Sequence, residues 1–304
     1  MTTINIQPTS IRDDDKQTYL LTHLPEQIGK LHDVSYYDKQ KRSVKLEKYE
    51  LKQMPLSKPN IDEIEDEIRS MGKRYDGKQT ADQILTERLA VWQELQAFHD
   101  RVEAEREVAE NRHFQENYNA AIADIDDVIS GQDNTVDNAL HTAIGQLNLP
   151  FELTVKISYN KAESRASVSA NLPISCCIPT TKTVFHTRGM SIKNKLQREM
   201  QQEESECIIG LAILLAGQTF SVTPNIKRVS VALYQHAGLN GLLSMYFERD
   251  KFVQNQKTFG TPSVALYSWP YVANVRTVRD AMVLDPIDKA IFQAQSTMLH
   301  SPSI

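Results

Sequence analysis

"ECIIGLAILLAGQTFSVTPNIKRVSVALY", residues 206–234, is the one long apolar passage in an otherwise polar chain, and its reading decides the fold. Its continuous apolar part, residues 207–217, is eleven residues long, well short of the roughly 20 that a helix needs to span a bilayer. Upstream lies "KNKLQREMQQEESE" (193–206), and from Ile192 through it into the apolar run the residues Ile192, Leu196, Met200, Cys207, Leu211 and Leu215 recur mostly at helical spacing. That spacing predicts one helix, exposed in its N-terminal half and buried in its C-terminal half. Burying Ile208, Ile209, Leu211, Ile213, Leu214 and Leu215 is worth ~9–18 kcal/mol gross, which rivals the net stability of a typical domain. Other elements must therefore cover this helix. It reads as a core helix, not a membrane span.

The neighbours change period from 3.6 to two. "FELTVKISY" (151–159) sets Phe151, Leu153, Val155, Ile157 and Tyr159 on one side, and "RASVSANL" (165–172) does the same with Ala166, Val168, Ala170 and Leu172. The intervening "NKAES" is a hairpin loop. Beyond the helix, "KRVSVALYQ" (227–235) and "GLLSMYFERD" (241–250) pair through the turn "HAGLNG", and "TTKTVFHT" (180–187) is a further candidate strand. "DPIDKAIFQAQSTML" (285–299) reads as a helix with Asp285 at its N-cap and Pro286 in first position. Helix, hairpin, long helix, hairpin is an α+β pattern: a helical arm followed by a mostly antiparallel sheet packed on a long buried helix.

The arm lies N-terminal to this. No glycine or proline occurs from Lys78 to Ser130, and Thr80 with Gln83 forms a capping box. Ile84, Val91, Leu95, Phe98 and Val102 keep coiled-coil spacing, widened by Leu85, Leu89 and Trp92. "EAEREVAENRH" (103–113) interrupts the stripe, and Phe114, Tyr118, Ala121, Ile125 and Val128 resume it in another phase. A long two-stranded coiled coil needs unbroken heptads, so two helical segments, or one helix that rotates its buried face, are expected instead. "TVDNALHTAIGQL" (135–147) adds a short amphipathic helix facing Val136, Leu140, Ile144 and Leu147 inward. Three regions result: a mixed, partly irregular 1–76, a charged helical arm at 77–148 and an α+β domain at 149–304. Between residues 82 and 116 nine acidic residues face four basic ones, whereas "DKQKRSVKLEKYELK" (38–52) carries six basic against three acidic. The basic block and the strongly acidic "IDEIEDEI" (61–68) that follows it are read as solvated rather than paired.

A net charge of −5 over 304 residues argues against a protein that coats nucleic acid. Three cysteines, two of them the adjacent Cys176 and Cys177, make no disulfide framework and fit reduced thiols in a cytoplasmic setting. The first residues show no basic start followed by an apolar run, so no signal peptide is read. Neither a phosphate-cradling glycine loop nor a nucleophile elbow nor paired CxxC motifs occur, and no cofactor is expected.

Several stretches carry a resemblance. "ERLAVWQELQAFHDRVEAEREVAE" (87–110), "SVSANLP" (167–173), "IIGLAILLAGQTFSVTPNIKRVSVALYQ" (208–235) and "GLLSMYFERDKF" (241–252) follow one another as do a charged helix, a strand pair, a helix and a further strand in one bacterial family. From about Ala90 to Arg249 the chain thus resembles the C-terminal region of uncharacterised bacterial proteins that begin with a small Gly-rich β domain of unknown function. That Gly-rich domain and the family's C-terminal charged motif have no counterpart here, nor do residues 1–76 match it. The resemblance implies an architecture and a bacterial cytosolic origin, and it carries over no catalytic residue.

Candidate sites are few. "YFERDKF" (246–252) sets Glu248, Asp250 and Lys251 at a strand end, where acidic residues and a lysine would serve a metal-dependent nuclease or hydrolase; solvated strand ends of this kind are commoner. Glu152 and Lys156 lie on the strand face opposite the core and read as solvated. His186, nine residues beyond Cys177, lacks an orienting third group, and Cys207 reads as a small hydrophobe. His236 and Gly238 read as hairpin chemistry. Tyr267, Trp269 and Tyr271 in "ALYSWPYV" form either a satellite core or a contact surface, and Trp92 anchors the charged helix, with Phe98 on its stripe. The leading expectation is a non-enzymatic interaction protein whose arm mediates self-association or contact with a protein partner, without nucleic acid or membrane. The alternative is a nuclease or hydrolase of a defence or mobile-element system.

Overall fold

A computed structural model describes residues 2–7, 28, 30–74, 77, 79–149, 151–173, 178–235, 238–255 and 261–300. Along the chain these form strand β1 (Thr2–Ile6), helices α1 (Val34–Ser43), α2 (Ile61–Met71), α3 (Ala81–Ser130) and α4 (Asp133–Gly145), then strands β2 (Leu153–Asn160), β3 (Arg165–Asn171), β4 (Thr181–His186) and β5 (Gly189–Asn194). Helix α5 (Gln197–Val222) leads to β6 (Arg228–Gln235) and β7 (Asn240–Glu248). Two short helices, α6 (Arg249–Asn255) and α7 (Pro262–Leu266), precede β8 (Tyr271–Val278), β9 (Ala281–Asp285), β10 (Ile287–Asp288) and helix α8 (Lys289–His300). The chain gathers into two compact units, residues 1–40 with 124–304, and residues 41–123. These boundaries are not those expected at 76 and 148. The chain's first strand pairs into the sheet of its C-terminal half, and the end of α3 is gathered with that unit.

In the larger unit the sheet runs β1-β2-β3-β6-β7-β8-β9, with β10 on β7. Neighbours are antiparallel except β3 and β6, which are parallel. A parallel pair needs a crossover, and α5 lies in that connection. The fold is α+β, a mostly antiparallel sheet on a long buried helix. Register turns the period-two pattern into rows: Ile4, Val155, Ala170, Leu233 and Leu243 stand side by side across five strands, all buried. Helices α4 and α5 cover this face. Val136, Leu140 and Ile144 of α4 are buried, and so is every residue from 207 to 217 of α5. By length and composition α5 is apolar enough to cross a membrane, yet 78% of its apolar window is buried within the fold.

The polar half of α5 has its own task. Ser205 Oγ donates to the Met282 carbonyl at 3.1 Å and accepts from Leu284 N–H at 3.2 Å, while Gln202 Oε1 accepts from Met282 N–H. β9 ends the sheet, and these contacts occupy backbone groups that would otherwise template another strand. The helix begins at Gln197 rather than near Ile192, because residues 189–194 form β5 and pair with β4. Glu199 stops the helix there by accepting the Leu196 N–H at 2.8 Å.

One other expectation is corrected. Asp285 belongs to β9, where its carboxylate takes two hydrogen bonds from Arg276 at 2.6 and 3.0 Å. It is Asp288 that receives the Ala290 N–H, at 2.9 Å, at the start of α8. The β8–β9 hairpin was illegible because its turn places Arg279 (φ 47°) and Asp280 (φ 70°) in the left-handed region, without the glycine or asparagine that usually marks such turns.

The smaller unit is built differently. The Thr80–Gln83 capping box is present, with Thr80 N–H donating to Gln83 at 2.9 Å and Gln83 N–H to Thr80 at 3.3 Å. Helix α3 then runs 50 residues without a break. An irregular strap precedes α2 and follows α3 in the opposite direction. Tyr49 N–H donates to Asn111 Oδ1 at 2.9 Å, and further along the strap Leu56 O accepts from Trp92 Nε1–H at 3.2 Å. Among the described residues of α3, Glu103 alone is buried: it accepts from Tyr49 O–H at 3.0 Å and Lys52 N–H at 3.1 Å, and pairs with Arg106 at 2.7 Å. The basic strap thus meets the acidic helix through a tyrosine and a backbone amide.

Candidate functional site

The strand-end residues do not share one place. Register sets Glu248 across from Arg228. Asp250 instead lines a cavity of about 750 Å³ with His32, Asp33 and Lys227, and Glu248 is not in its wall. Lys251 Nζ stands 5.6 Å from the centre of the Trp269 ring. Between them Arg249 is buried, donating to the carbonyls of Phe220 (2.7 Å), Thr223 (3.0 Å) and His32 (2.8 Å). A cation among the last carbonyls of α5 complements the negative end of the helix dipole. Burial pulls the guanidinium below its ordinary pKa, partly offset by Tyr37, Asp250 and Asp33. Asp33 accepts from Ser35 O–H and Tyr36 N–H, which caps α1 and holds its carboxyl below the ordinary range.

The aromatic trio divides. Trp269 is buried, with its ring 5.0 Å from Phe247 and 5.9 Å from Phe252, so its place is in the core. Tyr267 is exposed and meets half-buried Tyr271 edge-on at 6.1 Å. Cys176, Cys177 and His236 lie outside the described residues, while His186 bonds Ser191 at 2.9 Å. Among the described residues no group of three or more His, Cys, Asp and Glu side chains is placed to hold a metal ion.

Two apolar surfaces stand uncovered in their own units. On α3, Val91 (57% exposed), Leu95 (43%) and Phe98 (61%) form a stripe, and beside it Leu56, Pro59 and half-buried Trp92 edge a cleft of about 440 Å³. On the β4–β5 hairpin, Phe185, Met190 and Ile192 are exposed, Phe185 opposite Met190 in register. The hairpin face escaped notice because Ile192 was assigned to the helix.

The third feature is the sheet face turned away from α5. Opposite the aliphatic rows, register aligns Lys156, Ser169, Ala232 and Ser244, then Ser158, Ser167, Ser230 and Tyr246, then Asn160, Arg165, Arg228 and Glu248. Ser230 Oγ donates to Ser167 Oγ at 3.1 Å. Helix α8 lies on this face over β7 and β8. Its anchor is fully buried Phe292, whose ring sits where a Cβ on Gly241 would be, 2.0 Å from that position. Phe292 also meets Tyr234 edge-on at 5.3 Å. Between α8 and the serine rows runs a groove. Reading Lys156 as merely solvated missed the row it belongs to; the signal was Ser167 and Ser169 between the core positions of "RASVSAN", with polar Arg165 and Asn171 at its ends. No family model matches the chain, and neither the curated proteins nor the solved structures provide a match.

Proposed function

We propose that this is an interaction protein that self-associates through α3, in the bacterial cytoplasmic setting that the sequence resemblance implies. The observation that carries it is the uncovered Val91–Leu95–Phe98 stripe. With half-buried Val102 it keeps a 4-3-4 spacing, and exposed Glu94 and Arg101 flank it. In a two-fold antiparallel pairing, Val91 meets the second copy's Val102 and Leu95 its Phe98. The same register sets Glu94 of each copy beside Arg101 of the other, so one acidic helix finds complementary charges in its twin. The seam is short, about four layers, which fits a reversible dimer. A hydrolytic role for Glu248, Asp250 and Lys251 has no comparable observation in its favour.

Native mass spectrometry and sedimentation test this. The expected species is a dimer of the 34.6 kDa chain. Val91→Glu with Phe98→Glu yields monomer of unchanged fold. Glu94→Arg weakens the dimer, and adding Arg101→Glu restores it. A monomeric parent chain, or a dimer indifferent to all of these, removes the reading; a captured heterologous protein in place of a second copy does so as well.

A further inference from the structure

We propose that the groove between α8 and the outer face of the sheet binds a small phosphorylated sugar, with Arg165 and Ser296 as donors to its phosphate. Two buried polar atoms carry the argument. Ser296 is only 7% exposed, and its Oγ has no hydrogen-bond partner among the described residues. A helical serine or threonine commonly settles on the carbonyl four residues back, as Thr219 does with Leu215 and Thr297 with Gln293; Ser296 does not. Arg165 Nε is likewise buried and unmatched. Both residues line one cavity of about 410 Å³. Unmatched buried donors are costly and uncommon, and two that share one cavity point to something that matches both.

The surroundings name its chemistry. The same cavity is lined by Ser158, Ser167 and Ser169, hydroxyls that exchange hydrogen bonds with other hydroxyls. An adjoining cavity of about 240 Å³ shares Ser169 and adds Lys156, Lys289 and Asn171. Among the described residues no aspartate or glutamate lines either cavity, although the chain carries a net charge of −5. A guanidinium with hydroxyl donors suits an oxyanion, and its forked geometry suits phosphate. Arg165 and Ser169 are four residues apart on one strand, ~13 Å, too far for one phosphate to touch both ends. The ligand therefore extends from its phosphate over these serines. The serine hydroxyls that line the cavity match the hydroxyls of a sugar, which makes a sugar phosphate the class proposed.

Isothermal titration calorimetry on the full chain at low salt tests this, with ribose 5-phosphate, ribose, inorganic phosphate and succinate as probes. Ribose 5-phosphate is expected to bind saturably, inorganic phosphate more weakly, and ribose and succinate more weakly still. Arg165→Gln should weaken ribose 5-phosphate binding about tenfold or more, the loss of a charge-assisted contact. Ser296→Ala should weaken it several-fold while leaving the unliganded protein as stable as before or more so, since it deletes an unmatched hydroxyl. That pairing of outcomes separates a ligand contact from a structural role. No saturable binding of ribose 5-phosphate up to millimolar concentration overturns the proposal. Equal affinity in both variants, or tighter binding of succinate or bare ribose, does the same.

Discussion

The two units of this chain spend their residues in opposite ways. In the larger one, helix α5 is buried along its whole apolar length, and even its polar half serves the sheet through Ser205 and Gln202. In the smaller one the stretch of α3 that belongs to it, residues 81–123, buries a single glutamate and leaves valine, leucine and phenylalanine in solvent. Packing holds the first unit. A strap tied by hydrogen bonds to Glu103 holds much of the second. A core built by burial tolerates few changes, whereas an exposed helix with local ties has a surface left over for other contacts. The chain's two tryptophans fall one to each unit, Trp269 in the larger and Trp92 in the smaller. Each unit can thus be watched alone in a variant whose other tryptophan is phenylalanine.

Arg249→Ala should show the largest contrast. It strips the donor from the Phe220, Thr223 and His32 carbonyls at the end of α5 and opens a void beside Phe220, whose ring the guanidinium overlies at 5.8 Å. Hydrogen bonds from charged groups contribute about 1.5–3 kcal/mol each, so a loss of about 3 kcal/mol or more is expected in the urea transition reported by Trp269. The Trp92 transition should stay in place. A shift below about 1 kcal/mol, the scale of a surface change, would mean that the arginine is incidental to the core.

Gly241→Ala should have a smaller effect of the same kind. The added carbon would lie 2.0 Å from the Phe292 ring, so α8 must lift from the sheet. Overpacking of this sort costs about 1–3 kcal/mol, again in the Trp269 transition. Because α8 also forms one wall of the groove, the same variant should weaken ribose 5-phosphate binding. Stability lost without any change in that binding would show that α8 does not shape the groove.

What could be read beforehand follows the same division. The core helix, the strands at 151–159 and 165–172 and the hairpin after the helix were legible, because an alternating or 3.6-residue apolar pattern states directly which side is buried. Thr80 and Gln83 announced their helix start by chemistry alone. The β8–β9 hairpin was hidden by a turn of arginine and aspartate, and β1 by its brevity: "TTINI" has only Ile4 and Ile6 to declare a face. Pro286 drew the start of α8 three residues early, since proline suits a first helical turn as readily as the bend after a strand. The groove escaped because it is made of small residues from three strands and one helix, none conspicuous alone. Register brings Lys156 beside Ser169 and Arg165 beside Arg228, and no local pattern states register.

The smallest effect concerns Glu103 and tests whether the smaller unit rests on its strap. The Lys52 N–H, together with Tyr49, Arg106 and His99, holds this carboxyl below the ordinary glutamate range, against the opposing pull of burial. A folded-state pKa depressed in this way makes ionisation favour folding. The contribution is complete above the unfolded value, about 4.3, and disappears as pH falls through the lower folded value. Glu103→Gln keeps an acceptor for Tyr49 and Lys52 but has no charge to lose. Followed by Trp92 in a Trp269→Phe chain, it should therefore be less stable than its parent at about pH 7. The two should converge as the solution is acidified below about pH 4. The Trp269 transition should be the same in parent and variant throughout. A constant difference at all pH values would assign the effect of Glu103 to shape rather than charge. No difference at any pH would mean that the strap is held by its other contacts, the Asn111 and Trp92 hydrogen bonds at its two ends.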